Sequence, residues 1–267
     1  MLHSRRQWLS RQVLGWCTFS SLGSGCALAV PPTLPRMDTL RLPDPGTGRA
    51  TTLLVMLPGA YSRPPEFVET GFVQALHNSG VAADVCIVDS HFGYYNDRSI
   101  LRRLREEIVL PARAQGYLRI WLVGISLGGF GALAYAVRHG SEIDGVLALA
   151  PYLGPRLLLQ EIQNAGGAAA WFASGLAEPQ PDAANIASSA NSADAIDREI
   201  WRAYSGPVAR RPAPPVYLGY GLDDRFADAN RRFAELLPTA RVKTAAGGHD
   251  WPAWRSLWQA WLAQGLI

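Results

Sequence analysis

Cysteine is scarce in this chain, and its placement argues against cross-linking. Three occur, at Cys17, Cys26 and Cys86. The first two fall in an N-terminal stretch that reads as a leader. Cys86 is then left alone, so the mature chain has no internal disulfide and must be stable without one. It sits in the apolar run Val85-Cys86-Ile87-Val88 and reads as a buried strand thiol. Net charge is also missing. The formal +3 is accounted for by Arg5, Arg6 and Arg11 of the leader. A mature chain of balanced charge gives no reason to expect a nucleic-acid or anionic-membrane partner. Past the leader no apolar run is long enough to span a bilayer, so no integral membrane domain is expected. No His/Cys/Asp/Glu set stands at metal-ligand spacing, and the glycine-rich segment 128–131 lacks a P-loop lysine. Neither a metal nor another cofactor is implied.

What is present begins with that leader. Residues 1–29 combine a basic start, a weakly apolar middle from Val13 to Ala29 and a small-residue end, with no acid. This is the composition of a cleavable export signal. Arg5-Arg6 before Trp8-Leu9 resembles the twin-arginine type, and Ala27-Leu28-Ala29 resembles a cleavage site that leaves Val30 first. The expectation is an exported protein, periplasmic or secreted. The alternative is lipid anchoring through Cys26, although Leu22 stands one position too far upstream for the usual lipidation motif.

The remaining 30–267 reads as one domain. With 48% hydrophobic and 18% charged residues, the chain can bury a large core. After a Pro/Gly/Thr-rich lead-in with a short edge strand near 37–42, apolar runs alternate with helical spacing. Strands are expected at 53–57, 81–88, 120–123, 146–149, 216–220 and 241–244. Helices are expected at 65–79, from a cap at Asp97 to a kink at Pro111, and at 127–139, 227–237 and 251–262. Near-continuous apolar strands alternating with helices predict a mostly parallel sheet covered by helices on both faces. Between the strands ending at Leu149 and starting at Val216, about sixty residues intervene, too many for a simple connection, so a lid insertion at about 152–213 is expected. Its helices would be Ile162–Phe172 and Ala193–Tyr204. Its aromatics, Trp171, Phe172, Trp201 and Tyr204, either line a site or pack the insertion onto the body.

Gly124-Ile125-Ser126-Leu127-Gly128 follows an expected strand and precedes an expected helix. A sharp strand-to-helix turn there holds the serine in a strained conformation and aims a helix N-terminus at it, where unpaired amides favour developing negative charge. A serine hydroxyl needs a base to act as a nucleophile. Of the mature histidines, His77 and His139 fall near helix ends, and His91 could line the mouth of a site. His249 lies in a loop after the last strand, where parallel sheets place their ligands. Asp223 and Asp224 follow the strand before it, giving the chain order Ser, Asp, His.

From about Thr51 to Leu262 the chain resembles the α/β-hydrolase superfamily. Residues 124–133, Gly-Ile-Ser-Leu-Gly-Gly-Phe-Gly-Ala-Leu, resemble its branch of esterase D and bacterial relatives. The resemblance implies an α/β-hydrolase fold and a serine hydrolase cleaving carboxylic esters through an acyl-enzyme. Ser126 would be nucleophile and His249 base. Gly221-Leu222-Asp223-Asp224 matches the superfamily's acid loop three residues after the glycine, which favours Asp224 over Asp223. Leu57-Pro58-Gly59-Ala60-Tyr61 occupies the oxyanion-loop position, with Pro58 where many relatives carry histidine. The hole would use the amides of Leu127 and Ala60, with Tyr61 in reserve. Tyr61, Tyr94, Tyr95 and Trp171 are the pocket candidates, and a small-molecule ester is the expected partner. Acyl transfer, thioester or peptide cleavage on the same triad, or a non-catalytic binding protein of this fold, are the alternatives.

Overall fold

The structure is a computed structural model that describes residues 30–46, 48, 50–176, 193–207, 212 and 214–267. The expected leader, with its paired arginines, Cys26 and Ala29, lies outside the described residues.

Seven strands form one sheet: β1 (Thr39–Leu42), β2 (Thr52–Leu57), β3 (Asp84–Val88), β4 (Arg119–Ile125), β5 (Gly145–Leu149), β6 (Val216–Gly221) and β7 (Val242–Ala245). Their spatial order is β1-β3-β2-β4-β5-β6-β7, with every pairing parallel except β1 with β3. This is the expected mostly parallel α/β-hydrolase sheet. β2 and β5 are buried along their whole length, as strands covered on both faces must be. The chain leaves β2 toward β3, then crosses back so that β4 lies on the other side of β2. The crevice beyond the carboxyl ends of β2 and β4 is therefore a topological switch point, where such sheets bind ligands.

The helices are α1 (Glu66–Glu69), α2 (Phe72–Ser79), α3 (Phe92–Asn96), α4 (Ile100–Arg103), α5 (Leu110–Ala114), α6 (Leu127–His139), α7 (Arg156–Asn164), α8 (Ala168–Ala173), α9 (Ala193–Ser205), α10 (Ala227–Ala234) and α11 (Trp251–Leu262). Several boundaries correct the sequence pattern. The helix expected over 65–79 breaks at Gly71, whose φ of 82° ends α1 and restarts the chain as α2. That expected over 162–172 is instead α7 and α8, parted by Gly166 and Gly167 at φ 89° and 106°. Asp97 does not cap a long helix. It ends α3, and its carboxylate accepts from the Ser99 amide. Ahead of Pro111 a π-helical stretch, Leu104–Val109, joins α4 to α5. The wider turn absorbs a residue that has no N–H to give, so the kink becomes a local widening.

Within 152–213, the described helices α7, α8 and α9 are fastened to the body by their aromatics. Trp201 donates its indole N–H to Leu153 O at 2.8 Å, and the Trp201 and Tyr204 rings meet Phe233 edge-on at 5.4 and 5.2 Å. Trp171 donates to Glu161 at 2.7 Å, and Arg198 reaches the same carboxylate. Arg198 and Trp171 together hold Glu161 below the usual carboxylate range. Among the described residues no helix is long and apolar enough to cross a membrane.

The last helix closes the fold. Asp250 caps α11 by accepting from Ala253 N at 3.1 Å, and Pro252 stands in its first turn, where a missing N–H costs nothing. Trp258 is fully buried, stacks on Phe72 with centroids 6.1 Å apart, and donates to Phe72 O at 3.0 Å, binding α11 to α2. Trp258→Ala is expected to lower the unfolding free energy by about 3–5 kcal/mol. Trp258→Phe, which loses mainly the hydrogen bond, should cost about 1 kcal/mol. Urea denaturation checks both, and an unchanged midpoint in the alanine variant would contradict the packing.

Candidate active site

β4 runs into α6 through a single residue, Ser126, at φ 54° and ψ −113°. A residue other than glycine held at positive φ costs about 1–3 kcal/mol, and such strain persists only where neighbours over-determine it. Here they do. Ser126 N donates to Leu149 O at 2.9 Å, while Ser126 O accepts from Phe130 N and Tyr152 N, both at 3.0 Å. Two glycines make the turn possible by close approach. A Cβ at position 128 would stand 2.1 Å from Leu57 O, and one at 124 would stand 2.2 Å from Gly128 O. The elbow is thus wedged against the end of β2, and no larger residue fits at either flank.

His249 comes from the loop between β7 and α11. Its Nε2 lies 2.9 Å from Ser126 Oγ, and its Nδ1 lies 2.7 Å from Asp224 Oδ2. The Asp224 side chain has no solvent exposure, and its second oxygen accepts from Phe226 N at 2.7 Å. A buried carboxylate in this position accepts from Nδ1–H, which leaves Nε2 free to accept the serine proton. The two loops that carry the pair are zipped together. Leu222 N reaches Ala245 O at 2.9 Å and Asp223 N reaches Gly247 O at 3.0 Å. The neighbouring Asp223 is exposed, and no bond joins its carboxylate to His249.

Rings fix the imidazole from both sides. Phe226 and Trp254 each meet His249 edge-on with centroids 5.0 Å apart. Trp254 leans on Trp251, whose indole N–H donates to Glu66 at 3.3 Å. Glu66 opens α1, at the end of the loop that leaves β2. That loop turns tightly, with Ser62 N on Gly59 O at 3.1 Å, so Ala60 and Tyr61 stand at its tip. A Cβ at Gly59 would be 3.4 Å from the Ser126 Cβ, so the turn lies directly beside the serine. On the other flank, the first hydrogen bond into α6 is made by Phe130 N, and the Leu127 amide therefore precedes the helical ladder at the helix N-terminus. Ser126 itself is 7% exposed.

The structure thus brings together Ser126, His249 and Asp224, with Leu127 and the 59–62 turn beside them. The aromatic candidates scatter. Tyr61 is 85% exposed at the rim. The Tyr95 ring lies 6.2 Å from Phe130, and its hydroxyl is packed where a Cβ on Gly131 would fall, so it props the far side of α6. Burial raises its phenol far above the ordinary range. Tyr94 is not a pocket residue. It is fully buried, accepts from Leu34 N at 3.3 Å and carries the Arg103 guanidinium over its ring. Trp171 is likewise taken up inside the insertion by Glu161 and Arg198. His91 caps α3 by accepting from Gly93 N. Two residues the sequence did not flag stand closer. Tyr152 follows β5 and is bonded through its amide to Ser126 O, and its ring meets Phe226 at 6.0 Å and Phe130 at 5.9 Å. Their signal was position alone: each lies just past the carboxyl end of a parallel strand. Among the described residues no metal-ligand cluster occurs.

A family model described as "Esterase: Putative esterase" matches residues 101–266. An acetyl esterase of Caldicellulosiruptor saccharolyticus is 21% identical over 174 residues, covering 62% of this chain and 60% of that protein. The match thus spans under two thirds of the relative's length. A solved ferulic acid esterase superposes with a TM-score of 0.55 at 16% identity, covering 85% of this chain and 97% of its own. The S-formylglutathione hydrolase FrmB of Staphylococcus aureus gives 0.53 at 13%, covering 82% of each chain. The fluorophosphonate-binding serine hydrolase F of the same organism gives 0.53 at 12%, covering 87% and 99%. At such identities these likenesses establish the fold.

Proposed function

Because the chain belongs to the Esterase family of α/β-hydrolases, we propose that it hydrolyses carboxylic esters through an acyl-enzyme on Ser126. The observation that carries this is the pair of hydrogen bonds running from buried Asp224 through His249 to Ser126 Oγ. His249 Nε2 takes the serine proton as Oγ attacks the ester carbonyl. The Leu127 and Ala60 amides receive the oxyanion, a contribution of about 3–4 kcal/mol per donor where such donors have been removed. His249 then gives the proton to the departing alcohol. A water molecule, deprotonated by the same nitrogen, releases the acid. Asp224 stays ionised throughout, holding the tautomer and stabilising the imidazolium. The names of similar proteins, an acetyl esterase and a ferulic acid esterase, support short or aromatic acyl groups as substrates.

Hydrolysis of p-nitrophenyl acetate tests the reaction. Ser126→Ala should lose about 10⁴–10⁶ in kcat. Asp224→Asn should lose about 10⁴, while Asp223→Asn should stay within a few-fold of the parent. A fluorophosphonate should label Ser126. Turnover that survives in Ser126→Ala would defeat the assignment.

Residues 1–29 act in this reading as an export signal, supported by their basic, apolar and small-residue sequence. The substrate is then environmental or part of the cell envelope. Mass spectrometry of the N-terminus is expected to find Val30 first. A lipid-modified Cys26, or an intact residue 1, would contradict that processing.

A further inference from the structure

Between β2 and α1 the chain passes through the turn at 59–62, then Arg63, then Pro64 and Pro65, which have no N–H to donate. Glu66 ties this stretch down with both ends of its residue. Its backbone N donates to Arg63 O at 3.1 Å, and its carboxylate reaches back so that Oε1 accepts from Arg63 N at 3.1 Å. This reciprocal pair closes the local turn that leads into α1. The Arg63 guanidinium, 3.6 Å from the same oxygen, is 74% exposed and adds little. The second oxygen is used elsewhere. Oε2 accepts from Trp251 Nε1 at 3.3 Å, across 185 residues of sequence.

Each end of this bridge leads to the reacting groups by a short path. On one side, Arg63 follows directly on Ser62, which closes the turn on Gly59 O, and a Cβ at Gly59 would stand 3.4 Å from the Ser126 Cβ. On the other, Trp251 meets Trp254 edge-on at 5.3 Å, and Trp254 meets His249 edge-on at 5.0 Å. Trp251 is also wedged against Phe67 and Phe72, at 5.2 and 5.4 Å, so the direction of its indole N–H is fixed by packing. One carboxylate therefore spans from the turn beside the serine to the rings that hold the histidine.

We propose that Glu66 is a positioning residue for the reaction at Ser126: its two carboxylate oxygens set the turn that carries Ala60 against the helix that steadies His249. The proposal rests on the esterase reading. Glu66 touches neither the ester nor the reacting atoms, and acts through Arg63 and Trp251. Acylation and deacylation use the same base and the same amides, so a shift of the turn against the imidazole slows both steps together. kcat then falls while KM stays. A misplacement of about 1 Å can cost on the order of 10²-fold in rate, so the effect of a partial shift is measurable.

Glu66→Gln tests it, because both groups that face the carboxylate are N–H donors. An amide has one oxygen, so its NH2 must oppose either Arg63 N–H or the indole N–H. Hydrolysis of p-nitrophenyl acetate is measured per Ser126 labelled to completion by a fluorophosphonate, so that an unfolded fraction is not counted. Glu66→Gln should lose about tenfold in kcat, with KM within about twofold of the parent. Trp251→Phe, which keeps a ring among Phe67, Phe72 and Trp254 but has no N–H, should lose a similar amount. The double variant should lose no more than either single, since the amide NH2 then meets no donor there. Glu69→Gln removes an exposed charge from the same helix and should match the parent. If kcat per labelled site in Glu66→Gln stays at the parent's value, if Glu69→Gln loses as much, or if the two single losses multiply in the double variant, Glu66 serves only its local turn. The proposal is then overturned and the esterase reading stands. If the parent turns over no ester and takes no label at Ser126, the esterase reading itself falls, and the proposal with it.

Discussion

The backbone of Ser126 is the constraint on which the rest of this structure depends. A residue with a side chain is held at φ 54° by three main-chain hydrogen bonds, one to Leu149 and two from Phe130 and Tyr152. Each of those partners belongs to a different piece: the end of β5, the first turn of α6 and the loop after β5. The strain, about 1–3 kcal/mol, is sustained only because β4 lies buried between β2 and β5. In return, Oγ stands clear of the sheet at the switch point, with the N-terminus of a thirteen-residue helix directly behind it.

The His249 imidazole is held by packing from the opposite end of the chain. His249 stands on a short loop, and short glycine-containing loops are not rigid by themselves. Rigidity comes from the edge-on contacts of Phe226 and Trp254, and from Trp251 lodged among Phe67, Phe72 and Glu66. Edge-to-face contacts of this kind contribute about 0.5–1.5 kcal/mol each beyond their buried area. Through Glu66 the same cluster reaches α1, which follows the 59–62 turn. The turn beside Ser126 and the histidine loop are therefore fixed against one another, although nearly two hundred residues separate them in sequence. The tryptophan-rich helix α11 therefore packs against the His249 loop as well as against the core.

The sheet, and the three residues that the structure joins by hydrogen bonds at Ser126, are legible in the sequence because each rests on a local pattern. Buried parallel strands read as continuous apolar runs, and Gly-x-Ser-x-Gly between a strand and a helix is a short-range signal. The choice between Asp223 and Asp224 was harder, since adjacent residues differ only in which way they face. Resemblance favours Asp224, and it is the Asp224 carboxylate that lies buried against His249 Nδ1. Helix lengths are not legible where a glycine turns left-handed, as at Gly71 and Gly166-Gly167, because tolerance of an isolated glycine and a break at one look alike in one dimension. The pocket was least legible. Tyr94 and Trp171 follow plausible positions, but whether a ring faces the site or the core is decided by contacts remote in sequence, such as Leu34 with Tyr94. The places of Tyr152 and Phe226 beside Ser126 and His249 are hidden in the sequence for the same reason.

If Ser126 and His249 act as one catalytic unit, their losses cannot add. The decisive measurement is kcat for an activated ester in Ser126→Ala, His249→Ala and the double variant, each checked to be folded. The single variants should each fall by about 10⁴–10⁶, and the double variant should fall no further than either single. Losses that multiply in the double variant would mean that the two residues act independently, and would contradict the account.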